Sequence, residues 1–198
     1  MSRRRPRPRW LVATVLAASG CAASPEPAYY ALAPSEGAPR RAGPRTIELR
    51  HPALAGYLDR ARIVVRVADY RLRFATGERW AEPLDDMIGR VLAEDLSDRL
   101  PGSAVFRERA ASARAPDAVV DVDIERFDAG ADGAVTLRAQ VAVGFRSGGR
   151  TTTSRSLVLS GRPAAVGTPA LAATMSELLG RLADAIAVVL AGPPGPPG

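Results

Sequence analysis

The chain has 198 residues, with 27 arginines, no lysine and 21 acidic residues, and a formal charge of +6. That length fits one domain of ordinary size, and 46% hydrophobic against 24% charged residues excludes a disordered, collagenous or multi-spanning membrane chain. The basicity is not a nucleic-acid footprint, which would need cations gathered on the folded domain. Arg3, Arg4, Arg5, Arg7 and Arg9 all precede the first acid, Glu26, and without residues 1–20 the net charge falls to +1.

Behind the basic start, Trp10 to Gly20 is uncharged and rich in apolar and small residues. As a helix this run spans about 16 Å, roughly half a hydrocarbon core, too short to cross a membrane. A charged start, a short apolar run and small residues before a cut describe a secretory signal peptide over residues 1–20. The single cysteine, Cys21, follows Ala18-Ser19-Gly20 directly. This resembles the bacterial lipobox, in which the cysteine thiol takes a diacylglycerol and becomes the mature N-terminus; Leu16 is the nearest leucine to the position where that pattern prefers one. The alternative is an ordinary signal-peptidase site with a free or discarded thiol. Ala22, where an aspartate would retain a lipoprotein at the inner membrane, implies by the same resemblance the outer membrane, with the domain facing the periplasm. Acyl chains such as palmitate on Cys21 hold more firmly than one myristoyl chain. No other cofactor is expected, and one cysteine allows no intramolecular disulfide.

Residues 21–45, rich in Ala, Pro, Gly and Ser, read as the lipidated N-terminus and a tether, with Tyr29–Leu32 as a short edge strand. Fully extended, the tether reaches about 70–80 Å. Thr46–Arg50 and Arg62–Val67 read as strands. Tyr70–Phe74 alternates, which puts Tyr70, Leu72 and Phe74 inward and a tight turn at Ala68-Asp69. Trp80 to Leu100 predicts a helix whose stripe is Leu84, Ile88, Val91, Leu92 and Leu96, closed by Leu100. Its acids, including Asp95, and its arginines, including Arg99, fall on the solvated side. Pro83 suits the first turn and Pro101-Gly102 the end.

After an Arg- and Ala-rich loop at 107–116 come three antiparallel strands, Ala118–Phe127, Val135–Phe145 and Arg150–Gly161, joined by turn chemistry at 129–133 and 147–149. Thr168 is expected to cap a second helix ending near Ala191, with Leu171, Met175, Leu178, Leu182, Ile186 and Val189 facing the core. The architecture expected is α+β over residues 46–191: a mainly antiparallel sheet with two helices on one face. Residues 192–198, GPPGPPG, are too short for a collagen helix and read as a disordered tail.

The chemistry of an enzyme is absent from this pattern. His51 is the sole histidine and precedes Pro52, which reads as a loop position rather than a base. Metal-ligand spacings, a phosphate loop and a dinucleotide fingerprint are all missing. Asp121, Asp123 and Glu125 alternate along one strand face and read as its wet side. Asp85-Asp86 point about 100° apart on a helix, which suits no acid–base pair. Trp80 reads as a core plug. Arg60, Arg62, Arg66, Arg71 and Arg73 cluster over two strands, as a solvated face or a surface for a partner or lipid phosphate.

Three stretches carry a family resemblance. AYYALAP at 28–34, the block YLDRARIVVRVADYRLRFATGERWAEPLDDMIGRVLAEDLSDRLPG at 57–102, and the order of the remaining elements are together similar to the paraquat-inducible protein C (PqiC) family. These are outer-membrane lipoproteins also called auxiliary components of ABC-type transport. The resemblance implies a non-catalytic partner of an MCE-domain transport protein, docking the outer end of a periplasmic lipid conduit and supporting envelope integrity. A homo-oligomer would suit a ring-shaped partner. It assigns no partner-binding residues; Tyr57, Arg66 and Trp80 are the family-typical positions, expected to act through structure. The rival readings are a periplasmic lipid-carrier domain, an accessory lipoprotein of secretion or polysaccharide export, and, more remotely, a hydrolase using His51.

Overall fold

The computed structural model describes residues 26–40, 43–108, 115–146 and 151–192. The predicted signal peptide, Cys21 and the tail from residue 193 lie outside the described residues, as does Arg150.

Alternation builds the centre of the sheet. β7 (Ala118–Ala129) pairs along its length with β8 (Val135–Phe145), and β8 pairs in turn with β9 (Thr151–Gly161), both antiparallel. Ala118, Val120, Val122 and Ile124 on β7 and Val135, Leu137, Ala139, Val141 and Val143 on β8 turn to one face and are buried. A register shift between Ile124 and Arg126 then brings Phe127 and Ala129 to that face. Asp123, Glu125, Arg138 and Gln140 stay exposed on the other, as the alternation requires.

The second edge of β7 is shared by three short strands in succession. β2 (Thr46–Leu49), β3 (Ala53–Leu54) and β4 (Arg62–Ala68) pair with its start, middle and end, all parallel. Outside β2 lies β6 (Ala104–Arg107), parallel to it. Outside β4 lie β5 (Arg71–Trp80), antiparallel, and then β1 (Ala28–Tyr30), parallel to β5. The three long ladders are thus antiparallel and the five short ones parallel. β3 and β6 are too brief to leave a periodicity in the sequence.

The helices cover one face. α1 (Leu84–Arg99) buries the whole expected stripe, with Leu100 closing it. α2 (Thr168–Ala191) buries Leu171, Met175, Leu178, Leu182 and Ile186, with Val189 half-buried against the same core.

Four local expectations change. First, β5 runs on to Trp80, so α1 starts at Leu84. The residue before a proline avoids helix, and Pro83 is itself extended (φ −51°, ψ 134°), serving as N-cap. Second, the hairpin turn is Asp69-Tyr70, since Ala68 pairs with Arg71; Tyr70 is therefore fully exposed rather than inward. Third, α2 is capped by Gly167, whose φ of 116° suits glycine, and Thr168 makes no side-chain capping bond. Fourth, Asp95 and Arg99 are buried, at 0% and 1% exposure. What covers them is part of the segment read as tether.

Candidate functional site

Residues 32–40 form a strap across the two helices, held mostly through its backbone. The N–H of Ala33 donates to Ser176 Oγ on α2 (3.1 Å), and that of Ser35 to Asp95 Oδ1 on α1 (2.8 Å). Arg99 answers from below: Nη1 donates to Ser35 O (2.9 Å) and Nη2 to Glu36 O (3.4 Å). Its Nε reaches Asp184 Oδ1 on α2 at 2.6 Å. The Arg40 N–H closes the strap on Arg99 O (2.7 Å). Leu32 fills the core beneath at 2% exposure. Burial pushes the Asp95 carboxyl up to about 6, helped by Asp98 and Asp184 and opposed by the Ser35 N–H and Arg99; its Oδ2 has no hydrogen-bond partner among the described residues.

A second node joins two family-typical residues. Asp128, fully buried, accepts from the Tyr57 hydroxyl (2.7 Å) and Arg66 Nη2 (3.3 Å) on Oδ2, and from Arg126 Nε (3.0 Å) on Oδ1. The Arg66 guanidinium also lies 5.9 Å from the Tyr57 ring centre and donates to Asp69 O in the hairpin turn (3.2 Å). Burial, then the hydrogen bond to the Asp128 carboxylate and its charge, push the Tyr57 hydroxyl up to about 12. Tyr57 and Arg66 thus lock the β4–β5 hairpin to β7. Sequence reasoning nominated both but missed Asp128, since an aspartate in an acid-alternating strand gives no sign of being covered.

His51 sits at the start of α1, its Nε2 2.8 Å from Asp85 Oδ2 and its Nδ1 3.9 Å from Asp86 Oδ1. Arg107 Nη2 holds Asp86 at 3.0 Å. Burial would raise the Asp85 carboxyl, but the bonds from His51 and from the Asp86 N–H hold it below its ordinary value. This arrangement pins a loop to acids at a helix start, where negative charge is favourable. Trp80 is 5% exposed and plugs the core. Asp121 pairs with Arg50 at 3.1 Å, and Asp123 and Glu125 face solvent. Among the described residues no group of His, Cys, Asp or Glu could hold a metal ion, and no helix is long and apolar enough to cross a membrane.

Two of the larger open grooves among the described residues lie at opposite parts of the surface. One, of about 830 Å³, runs from Val65, Arg73 and Ala75 past the end of β7 to the loop before α2. The other, of about 710 Å³, lies between Arg45, Phe145 and the end of α2. Between sheet and helices the space is filled by side chains at or near zero exposure.

A family model described as ABC-type transport auxiliary lipoprotein component matches residues 30–187, from β1 through most of α2. The chain belongs to that family. An auxiliary lipoprotein component is a membrane-anchored envelope protein that works with a transporter. The matched region starts at the end of β1, ahead of the strap, so strap and sheet fall within one family domain. Solved structures repeat its fold. Protein XCC0632 from Xanthomonas campestris, of family DUF330, superposes with a TM-score of 0.67 at 22% identity, covering 83% of this chain and 94% of its own. The crystal structure of an uncharacterized protein gives 0.68 at 21%, covering 82% and 97%. At such identities the likeness shows the fold alone. No curated protein matches the sequence.

Proposed function

We propose that this auxiliary lipoprotein is anchored in the outer membrane by acyl chains on Cys21 and is a non-catalytic docking subunit for an MCE-domain transport protein. The reading rests on the signal and lipobox-like sequence around Cys21 and on family membership. The single structural observation that carries it is the strap. With β1 paired to β5 ahead of it, it fastens residues 32–40 to α1 and α2, which supports a folded body held close to an anchor at Cys21 rather than one on a long tether. A tethered docking subunit gains effective concentration from such confinement. The filled space between sheet and helices supports docking over lipid carriage, which needs an internal cavity.

The test is a crosslinked pull-down of the full-length protein from membranes, read by mass spectrometry, with Cys21→Ala as control. Recovery of an MCE-domain protein, reduced in the control, is expected. Recovery of secretion or polysaccharide-export components in its place would overturn the assignment.

A further inference from the structure

The β4–β5 hairpin ends in a feature that the packing of the domain does not use. Tyr70, in the turn, is 101% exposed, an aromatic ring standing wholly in solvent. Arg71 and Arg73 follow it on β5, both exposed, with no ion-pair partner among the described residues. Arg50, Arg90, Arg107 and Arg162 are each paired with an acid. Arg60, Arg62, Arg79, Arg138 and Arg155 are exposed without one among the described residues, so what sets the tip apart is the bare Tyr70 ring beside two such cations. Asp69 in the turn is exposed and Glu78 on β5 faces the Tyr30 hydroxyl at 3.5 Å; neither makes an ion pair with Arg71 or Arg73, so the two cations outnumber the one acid at the tip.

Strand direction says what this tip meets. β1 is parallel to β5, with Ala28 opposite Glu78. The chain entering β1 therefore comes from the side of β5 where the hairpin turn lies. From Glu78 back to Tyr70 is eight residues, about 26 Å at the rise of a strand and less with the bulge at Gly77. From Ala28 back to Cys21 is seven residues, at most about 25 Å when extended. A bilayer holding acyl chains on Cys21 thus lies within reach of the hairpin tip.

We propose that Tyr70, Arg71 and Arg73 form a bilayer-contact element that rests on an anionic phospholipid surface. The inference builds on the Cys21 anchor proposed above. Tyrosine places its ring at the headgroup level of a membrane with its hydroxyl in water, and guanidinium groups bind lipid phosphate in a fork geometry. Anionic lipid attracts such cations within a Debye length of the surface. Contact at the tip would fix the rotation of the body, which an acyl chain alone leaves free.

The test uses the lipidated mature protein carrying Tyr70→Trp, reconstituted into phosphatidylcholine vesicles with and without phosphatidylglycerol, and with brominated lipid as quencher. The wild type, with Trp80 buried, supplies the background. Protein that floats with the vesicles is expected to show a blue-shifted indole emission and roughly twofold quenching when phosphatidylglycerol is present. Adding Arg71→Glu and Arg73→Glu should return the signal to that of neutral vesicles. Floated protein whose indole emits as in water, unquenched, would overturn the contact while leaving the anchor standing. Protein that fails to float would remove the anchor, and the contact with it.

Discussion

Tyr57 shows how one buried carboxylate can define a side chain's behaviour. Its hydroxyl donates to Asp128, and burial together with that negative charge pushes its ionisation up to about 12. A hydroxyl harder to ionise in the folded state than in the unfolded one stabilises fully below the unfolded value near 10. That contribution is lost as pH rises through the folded value. Alkaline titration of tyrosinate absorbance should therefore show one late group, and Tyr57→Phe should abolish it at a cost of about 1–2 kcal/mol in a denaturant melt. A late group that survives the substitution would refute the assignment. Asp95 works in another window. Its carboxyl is raised to about 6 by burial, so its folded state holds a proton more readily than its unfolded state. Acidification from pH 7 toward 4 should stabilise the domain through this group, by up to about 3 kcal/mol. Asp85, held low by His51, opposes only below its unfolded value near 4. Melting temperatures of wild type and Asp95→Asn across pH 4–7 separate the two: the variant should lose the rise on acidification.

At the scale of elements, the strap depends on a close approach that only glycine permits. A Cβ on Gly180 of α2 would run into the Ser35 side chain, and one on Gly37 into the Arg99 guanidinium. Arg99 has no room to yield, since its three nitrogens already bond Asp184, Ser35, Asp95 and Glu36. Gly37→Ala should therefore lift the strap, at about 1–3 kcal/mol, whereas Gly180→Ala costs less, because the Ser35 hydroxyl can turn aside and helix propensity improves. Hydrogen exchange should accelerate across residues 32–40 while β7 and β8 keep their protection; unchanged exchange in the strap would contradict this packing. The sequence hid the strap for a physical reason. Its Ala, Pro, Ser and Gly carry no apolar periodicity, and its bonds run from backbone groups to Ser176, Asp95 and Arg99, between 60 and 143 residues away. The α1 and α2 stripes and the β7–β8 alternation were legible because each repeats locally what a large apolar core demands. Asp95 and Arg99 run against the rule that polarity in a sequence signals exposure, because the Ser35 N–H bonds Asp95 while Arg99 bonds Asp184 and the strap carbonyls. Trp80 was placed in the core correctly but in the wrong element, because the bulge at Gly77 carries β5 further than strict alternation predicts.

The whole molecule is shaped by where the strap begins. A free tether from 21 to 45 would let the domain wander about 70–80 Å from its anchor. With residues 28–30 paired to β5 and 32–40 fixed to the helices, the free length shrinks to the few residues between Cys21 and Ala28. With the anchor proposed at Cys21, the body would stand against the membrane, and its sheet and helices would hold one orientation to it when the hairpin tip touches lipid. Inserting twenty Gly/Ser residues between Pro25 and Glu26 tests this directly, since such a linker adds a root-mean-square length of about 25 Å. The insertion lies before the first paired strand, so the melting temperature and the membrane fractionation should not change. Quenching of an indole introduced at position 70 should fall severalfold, because the tip is no longer held within reach of the lipid. The same insertion between Gly37 and Ala38 should act the other way round. It breaks the strap, lowers the melting temperature, and leaves the distance from Cys21 to β1 unchanged. If the second insertion left the melting temperature intact, the strap would not be part of the folded body; if the first lowered it, residues ahead of Glu26 would belong to the fold.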